Sequence, residues 1–210
     1  FRFVEDTLNQ FSLTMPKNYT FPFAGGFCGY FGYELQRQSC QVSAFPSDYP
    51  DASFLFADRF LAFDHLTRQL SVCALGEGIN PDAMRNSQDW IKKTVIEIEK
   101  LQKVETAQER PQESVWGEIP VFDIRDNQET YIEKIKRALS HIGEGESYEV
   151  CLTNLITTWA DIDPFEIYRI LRSLNPAPYS SFLKFDDLAF SCSSPERFLR
   201  IDKHGVVESK

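Results

Sequence analysis

The sequence predicts an α/β fold of the α+β type, with antiparallel β-sheets packed against helices, and three observations carry that prediction. Aromatic and β-branched residues gather in short runs such as SFLFADRFLAFDH and SFLKF, which suit pleated, half-buried strands. Between these runs lie stretches whose apolar residues recur at every third or fourth position, the period of an amphipathic helix. A hydrophobic content of 42% over 210 residues is ample for a buried core.

Taken in order, the first patterned segment is GGFCGYFGYEL at 25–35, four glycines interleaved with aromatics. No strand leading into an apolar helix surrounds it and no Lys-Ser/Thr follows, so it is not a phosphate loop. Close approach of backbones explains the glycines better. Residues 53–65 and 69–75 read as two strands of a hairpin. Trp90, Ile91, Val95, Ile98 and Leu101 then mark one face of a helix over about 87–103. Residues 103–114, polar and holding Pro111, are the predicted linker, which divides the chain into regions 1–115 and 120–210.

Beyond the linker, Tyr131, Ile132, Ile135, Leu139 and Ile142 predict a second helix, with Asp126 and Asn127 as capping candidates and Gly143 as its stop. SYEVCLTNLITTW (147–159) is expected to form one long strand. Asp163, Pro164 and Glu166 have the spacing of a helix start with a capping box, and Asn175-Pro176 with Pro178 ends that helix. Strands return at 181–185, 188–192 and 197–201.

A formal charge of −9 with no basic stripe repels phosphate backbones, so nucleic acid is excluded as a partner. No apolar run reaches the roughly 20 residues a membrane helix needs. Cys28, Cys40, Cys73, Cys151 and Cys192 lack Cys-x-x-Cys spacing and are read as reduced, mostly core thiols in a reducing compartment. His65, His141 and His204 have no carboxylate or thiol at ligand spacing and are read as surface or cap residues. Ser193 and Ser194 lack a G-x-S-x-G elbow, which argues against a hydrolytic triad.

Glu196, in SCSSPERFLR between two strand-like runs, is the residue of most chemical interest. A carboxyl group held rigidly at a strand junction and partly desolvated is suited to donate a proton to a leaving group. The competing reading is a turn fixed by pairing of Glu196 with Arg197 or Arg200.

GGFCGYFGYEL, YIEKIKRALSHIGEGESYEVCLTN, NPAPYSSFLKF and SCSSPERFLRI, in that order, resemble the chorismate-binding family of anthranilate and aminodeoxychorismate synthase large subunits. The resemblance covers most of residues 25–210. It implies the N-terminal half of that family's fold, with 1–115 as the N-terminal region of the large subunit and 120–210 as the start of the chorismate-binding domain. In the family, the SPERF-type turn is followed shortly by Pro-Ile-x-Gly-Thr, where x is Lys in aminodeoxychorismate synthases and Ala in anthranilate synthases. This chain stops at VVESK and opens on Phe, so it is expected to be an internal piece, inactive alone, of a longer enzyme.

GESYEVCLTN, NPAPYSSFLKF and CSSPERFLRI look closer to the aminodeoxychorismate branch. The resemblance then implies conversion of chorismate and glutamine-derived ammonia into 4-amino-4-deoxychorismate, a folate precursor. Anthranilate synthase component I, which aminates C2 and eliminates pyruvate, stays open as the alternative, as does a non-catalytic tryptophan-binding relative. By matching position, Glu196 is implied as the acid that helps the C4 hydroxyl leave and then as the base for ammonia. Pro178, Tyr179 and Ser180 match half of the family's tryptophan pocket. Mg²⁺ is expected in the whole enzyme, on ligands outside this chain. Ammonia is expected from a glutamine amidotransferase subunit or fused domain, and the location is expected to be cytoplasmic.

Overall fold

In the computed structural model, which describes residues 2–17, 19, 21–37, 47–101 and 120–209, the glycine-aromatic segment becomes strand β1 (Gly26–Phe31). It follows helix α1 (Arg2–Leu8) and pairs antiparallel with β2 (Ala52–Ala57), placing Gly29 opposite Phe54. A Cβ on Gly29 would lie 1.9 Å from the Ser53 carbonyl oxygen and 2.8 Å from the Phe54 Cα, so the close backbone approach expected of these glycines is real here. Phe27 packs edge-on against Phe54 and Phe56, and Phe11 stacks on Phe56 at 5.1 Å between centroids. Leu35, in a short 3₁₀ turn (Tyr33–Leu35), is the buried apolar residue among those described.

The run at 53–65 is two strands rather than one. β2 ends at Ala57, and β3 (Arg59–Asp64) pairs with β4 (Gln69–Ala74) across a turn in which Arg68 adopts φ 56°. The break is at Asp58, whose carbonyl accepts the Leu75 N–H at 2.7 Å. Period-two alternation continues through such a switch of partner, so the sequence pattern does not mark it.

Helix α2 (Pro81–Lys100) begins earlier than the apolar periodicity indicated. The Asn80 side chain caps it by accepting the Asp82 and Ala83 N–H groups, and Pro81 occupies the first turn, where its missing N–H costs nothing. Ser87, only 7% exposed, donates from Oγ to the Leu75 carbonyl at 2.7 Å and so pins α2 to the end of β4. Trp90 meets the Arg59 guanidinium at 5.8 Å.

The described residues group into two compact units, Phe1–Ala107 and Gln108–Lys210. The linker expected at 103–114 and Cys40 lie outside the described residues.

In the second unit, α3 (Gln128–Gly143) is capped by Asn127, which accepts the Thr130 N–H. Asp126, the other capping candidate, instead takes Lys134 Nζ at 2.6 Å while only 7% exposed. The Asn154 amide bridges Asp126, accepting its N–H at 3.0 Å and donating to its carbonyl at 2.8 Å. The long strand expected at 147–159 is not formed. Only Ile156–Thr157 (β6) pairs, with Asp123–Ile124 (β5), and the remainder is held by single contacts such as Tyr131 Oη to the Leu152 carbonyl. β propensity without a backbone ladder beside it does not make a strand.

Asp163 and Pro164 open α4 (Pro164–Leu174) as expected, with the Asp163 carboxylate accepting the Phe165 N–H. The capping box does not close, because the Glu166 carboxylate binds Arg169 at 2.9 Å. α4 packs on the hairpin β7 (Tyr179–Phe185) and β8 (Leu188–Ser194), with Phe165 edge-on to Phe182 at 5.3 Å and Tyr168 beside it. The strand expected at 197–201 is reduced to Arg200–Ile201 (β9), which pairs with Val207–Glu208 (β10). Antiparallel pairs against helices, as predicted, make up the fold.

Candidate active site

Two turns meet at the open end of the β7–β8 hairpin. The first follows α4, where Asn175, the helix C-cap, precedes two closely spaced prolines that forbid continuation. Ala177 organises this turn: its carbonyl accepts Ser180 N–H at 3.2 Å and Ser180 Oγ at 2.8 Å. The second turn, Ser194-Pro195-Glu196-Arg197, leaves β8, and Ser194 Oγ donates to the Glu196 carbonyl at 2.9 Å. The β ladder joins them, placing Tyr179 opposite Ser194 and Ser180 opposite Ser193, while Ser193 Oγ donates to the Asn175 carbonyl.

The predicted site residues are thus brought to one end of one hairpin. Pro178 is exposed, and Tyr179 and Ser180 are half-buried. The Ser180 hydroxyl is committed to the turn. Glu196 is exposed, so the partial desolvation expected of it is not provided by the described residues. Its backbone is fixed by Ser194, but its carboxylate has no hydrogen-bond or ion-pair partner among the described residues.

The arginines that might have bound Glu196 are engaged elsewhere. Glu208 Oε2 takes Arg197 Nη2 at 2.9 Å and Arg200 Nη1 at 3.6 Å. Glu208 is delivered by β10 through the 202–206 turn, where Asp202 accepts the His204 and Val206 N–H groups and Gly205 adopts φ 78°. Those two backbone donors, Val206 foremost, hold the Asp202 carboxyl below the usual carboxylate range. The Arg197 guanidinium also lies over the Tyr179 ring, 5.7 Å from its centroid. From sequence alone Arg197 stands out only as a partner for its neighbour Glu196, and the one cue to its actual partner is a second acid, Glu208, near the end of the chain.

Elsewhere, His65 and His204 are exposed turn residues. His141 Nδ1 lies 2.6 Å from Glu146 Oε2 and, with Glu144, forms the grouping of metal-ligand atoms present among the described residues. It does not fit Mg²⁺, which requires oxygen ligands in near-octahedral array. One member is an imidazole, and Glu144 already accepts Ser140 Oγ at 2.8 Å. Cys28, Cys73, Cys151 and Cys192 are free thiols; Cys151 is exposed, the others half-buried, and burial pushes the Cys28 thiol up from its ordinary range. No helix among the described residues is long and apolar enough to cross a membrane.

Comparison with known proteins bears on the family and the fold. The profile of a family described as chorismate binding enzyme matches residues 2–210. The chain is 39% identical over 190 residues to the aminodeoxychorismate synthase of Streptomyces griseus, covering 90% of this chain and 26% of that protein. It is 30% identical over 199 residues to anthranilate synthase component 1 of Acetivibrio thermocellus, covering 89% of this chain and 39% of the relative. Anthranilate synthase component I from Streptococcus pneumoniae TIGR4 shares its fold, with a TM-score of 0.71 at 19% identity over 96% of this chain and 45% of that one. The chain therefore spans about a quarter of the length of the aminodeoxychorismate synthase it matches.

Proposed function

Because the chain belongs to the family of chorismate binding enzymes, we propose that the full-length protein aminates chorismate at C4, releasing the C4 hydroxyl as water and retaining the enolpyruvyl group. The higher identity to an aminodeoxychorismate synthase than to an anthranilate synthase supports C4 over C2 chemistry. Ammonia is supplied by a glutamine amidotransferase subunit or domain, and the location in this reading is a reducing compartment, the cytoplasm.

Glu196 is the acid-base residue of this reading. It protonates the departing C4 oxygen and then removes a proton from the entering ammonia, so one carboxyl group serves both halves of the exchange. The observation that carries the assignment is the uncommitted carboxylate: Glu208 occupies both arginines, and Glu196 stands on a hydrogen-bonded turn with no partner for its carboxylate among the described residues. A carboxylate serving only to fix the turn would be paired. Mg²⁺, when bound in the whole enzyme, would neutralise substrate carboxylate charge from ligands outside this chain. The residues described here contribute the proton and its placement.

Pro178, Tyr179 and Ser180 form part of a tryptophan pocket in the same reading, with the turn that carries them fixed by the Ser180 hydroxyl on the Ala177 carbonyl. An apolar ring edge beside an aromatic face suits an indole. Binding is measured by calorimetric titration of tryptophan.

The decisive experiment is Glu196→Gln in the full-length protein, assayed with chorismate and ammonia and with products separated by chromatography. We expect turnover to fall at least about 100-fold, in the range of lost acid-base catalysis, while the thermal midpoint stays near that of the parent. Parallel losses of stability and activity would leave Glu196 a turn stabiliser. Anthranilate and pyruvate as products would move the protein to the sister branch, and tight tryptophan binding without chorismate turnover would make it a sensor.

A further inference from the structure

One group at the hairpin's open end is not explained by the reaction as assigned. The Arg197 side chain is 27% exposed, and its Nε is shut off from solvent without a hydrogen-bond partner among the described residues. A buried donor without a partner is destabilising, so the guanidinium's other contacts must hold this pose. What fixes the guanidinium is a pair of contacts from opposite flanks of the site. One is the Tyr179 ring from the first residue of β7, at 5.7 Å. The other is the Glu208 carboxylate from β10, at 2.9 Å.

The main chain of Arg197 adjoins that of Glu196, so whatever fixes Arg197 also limits the Glu196 Cα. Ser194 adds the second constraint, because it pairs with Tyr179 in the ladder and donates to the Glu196 carbonyl. Glu196 is thus bracketed on both sides by residues whose common support is Tyr179. Its own side chain supplies no such support, being exposed and unpaired.

We propose that Arg197 is a positioning residue for Glu196: its guanidinium, seated on the Tyr179 ring and held by Glu208, fixes the turn that carries the acid-base carboxylate. The proposal rests on the assignment of Glu196 given above. A planar guanidinium is required, since it can stack on a ring face and meet a carboxylate in its own plane at once, whereas an ammonium is a point charge on a flexible stem. A residue that acts through the placement of Glu196 is expected to affect the rate of the bound complex rather than the binding of chorismate.

The test uses steady-state kinetics of the full-length protein with chorismate and ammonia. Arg197→Met is expected to lower kcat about tenfold, with KM for chorismate within about twofold of the parent, the pattern of misplacement rather than lost binding. Arg197→Lys is expected to recover less than half of the loss. Tyr179→Leu is expected to reproduce the kcat defect, and Tyr179→Phe, which keeps the ring face, to recover most of it. In the Arg197→Met/Tyr179→Leu double variant the two defects are expected not to multiply, since they break one contact. Parental kcat in Arg197→Met, or full recovery by Arg197→Lys, overturns the proposal while Glu196→Gln remains inactive. Parental kcat in Glu196→Gln instead overturns the assignment beneath it. Should Arg197→Met fail to fold, the Tyr179→Leu and Tyr179→Phe pair decides, and equal kcat in those two variants overturns the proposal.

Discussion

Replacing Gly29 with alanine is the sharpest test of how β1 and β2 are joined. The added methyl would sit 1.9 Å from the Ser53 carbonyl oxygen and 2.8 Å from both the Cα and a ring carbon of Phe54, where ordinary contact begins at 3.4 Å. The nearest obstacle is backbone, so no rotamer change relieves it, and the carbonyl must withdraw by about 1.5 Å. Strands in a ladder stand only about 4.8 Å apart, so such a shift breaks hydrogen bonds on both sides of the site. Alanine's better strand propensity returns about 0.5–1 kcal/mol against an overpacking cost of about 3 kcal/mol or more, leaving a net loss of at least about 2 kcal/mol. Urea denaturation followed by circular dichroism reads this as a lower midpoint at constant slope. Gly78 is the control, because a Cβ there meets nothing within 4 Å, and Gly78→Ala should stay within about 0.5 kcal/mol of the parent. Equal midpoints for the two variants would refute the close-approach account.

Further outcomes follow from the same contacts. Ser87→Ala removes the donor that satisfies the Leu75 carbonyl in a buried setting and should cost about 1–2 kcal/mol in a urea titration; a neutral result would mean water replaces the hydroxyl. The Asp126 carboxyl is held below the usual carboxylate range, chiefly by its hydrogen bond from Lys134. A lowered folded value gives stabilisation that is full above the unfolded carboxylate value near about 4 and lost as pH falls through the folded value. The stability gap between parent and Asp126→Asn should accordingly be constant near neutrality and shrink below about pH 4. A gap that is unchanged in acid would exclude that ion pair as its source.

Local chemistry was the readable part of this fold. Asp163-Pro164 and Asn175-Pro176 located the two ends of α4, and the strand runs at 181–185 and 188–192 located the hairpin β7–β8, because caps and tight turns are decided within a few residues. The apolar periodicity put the α2 start too late, since Asn80 and Pro81 act before the apolar face begins. Residues 147–155 read as strand because their composition favours one, but pairing is set by distant chain, and only Asp123–Ile124 stands opposite their continuation. At the candidate site, resemblance alone singles out Glu196 and Pro178-Tyr179-Ser180. Their convergence was not legible, because the Tyr179–Ser194 pair joins segments separated by a whole hairpin. The Arg197–Glu208 pair was hidden for the same reason.

The hairpin also acts as a ruler. Seven consecutive pairs run from Phe185–Leu188 to Tyr179–Ser194, and the two-residue turn at Asp186-Asp187, with Asp186 at φ 48°, sets the count. A register slip of one position would reverse which face each side chain of one strand occupies. A single-residue insertion in that exposed turn, at the opposite end from Glu196, would therefore change which residue meets Tyr179. The placement of the turn that carries Glu196 is encoded in the length of a loop that never touches it.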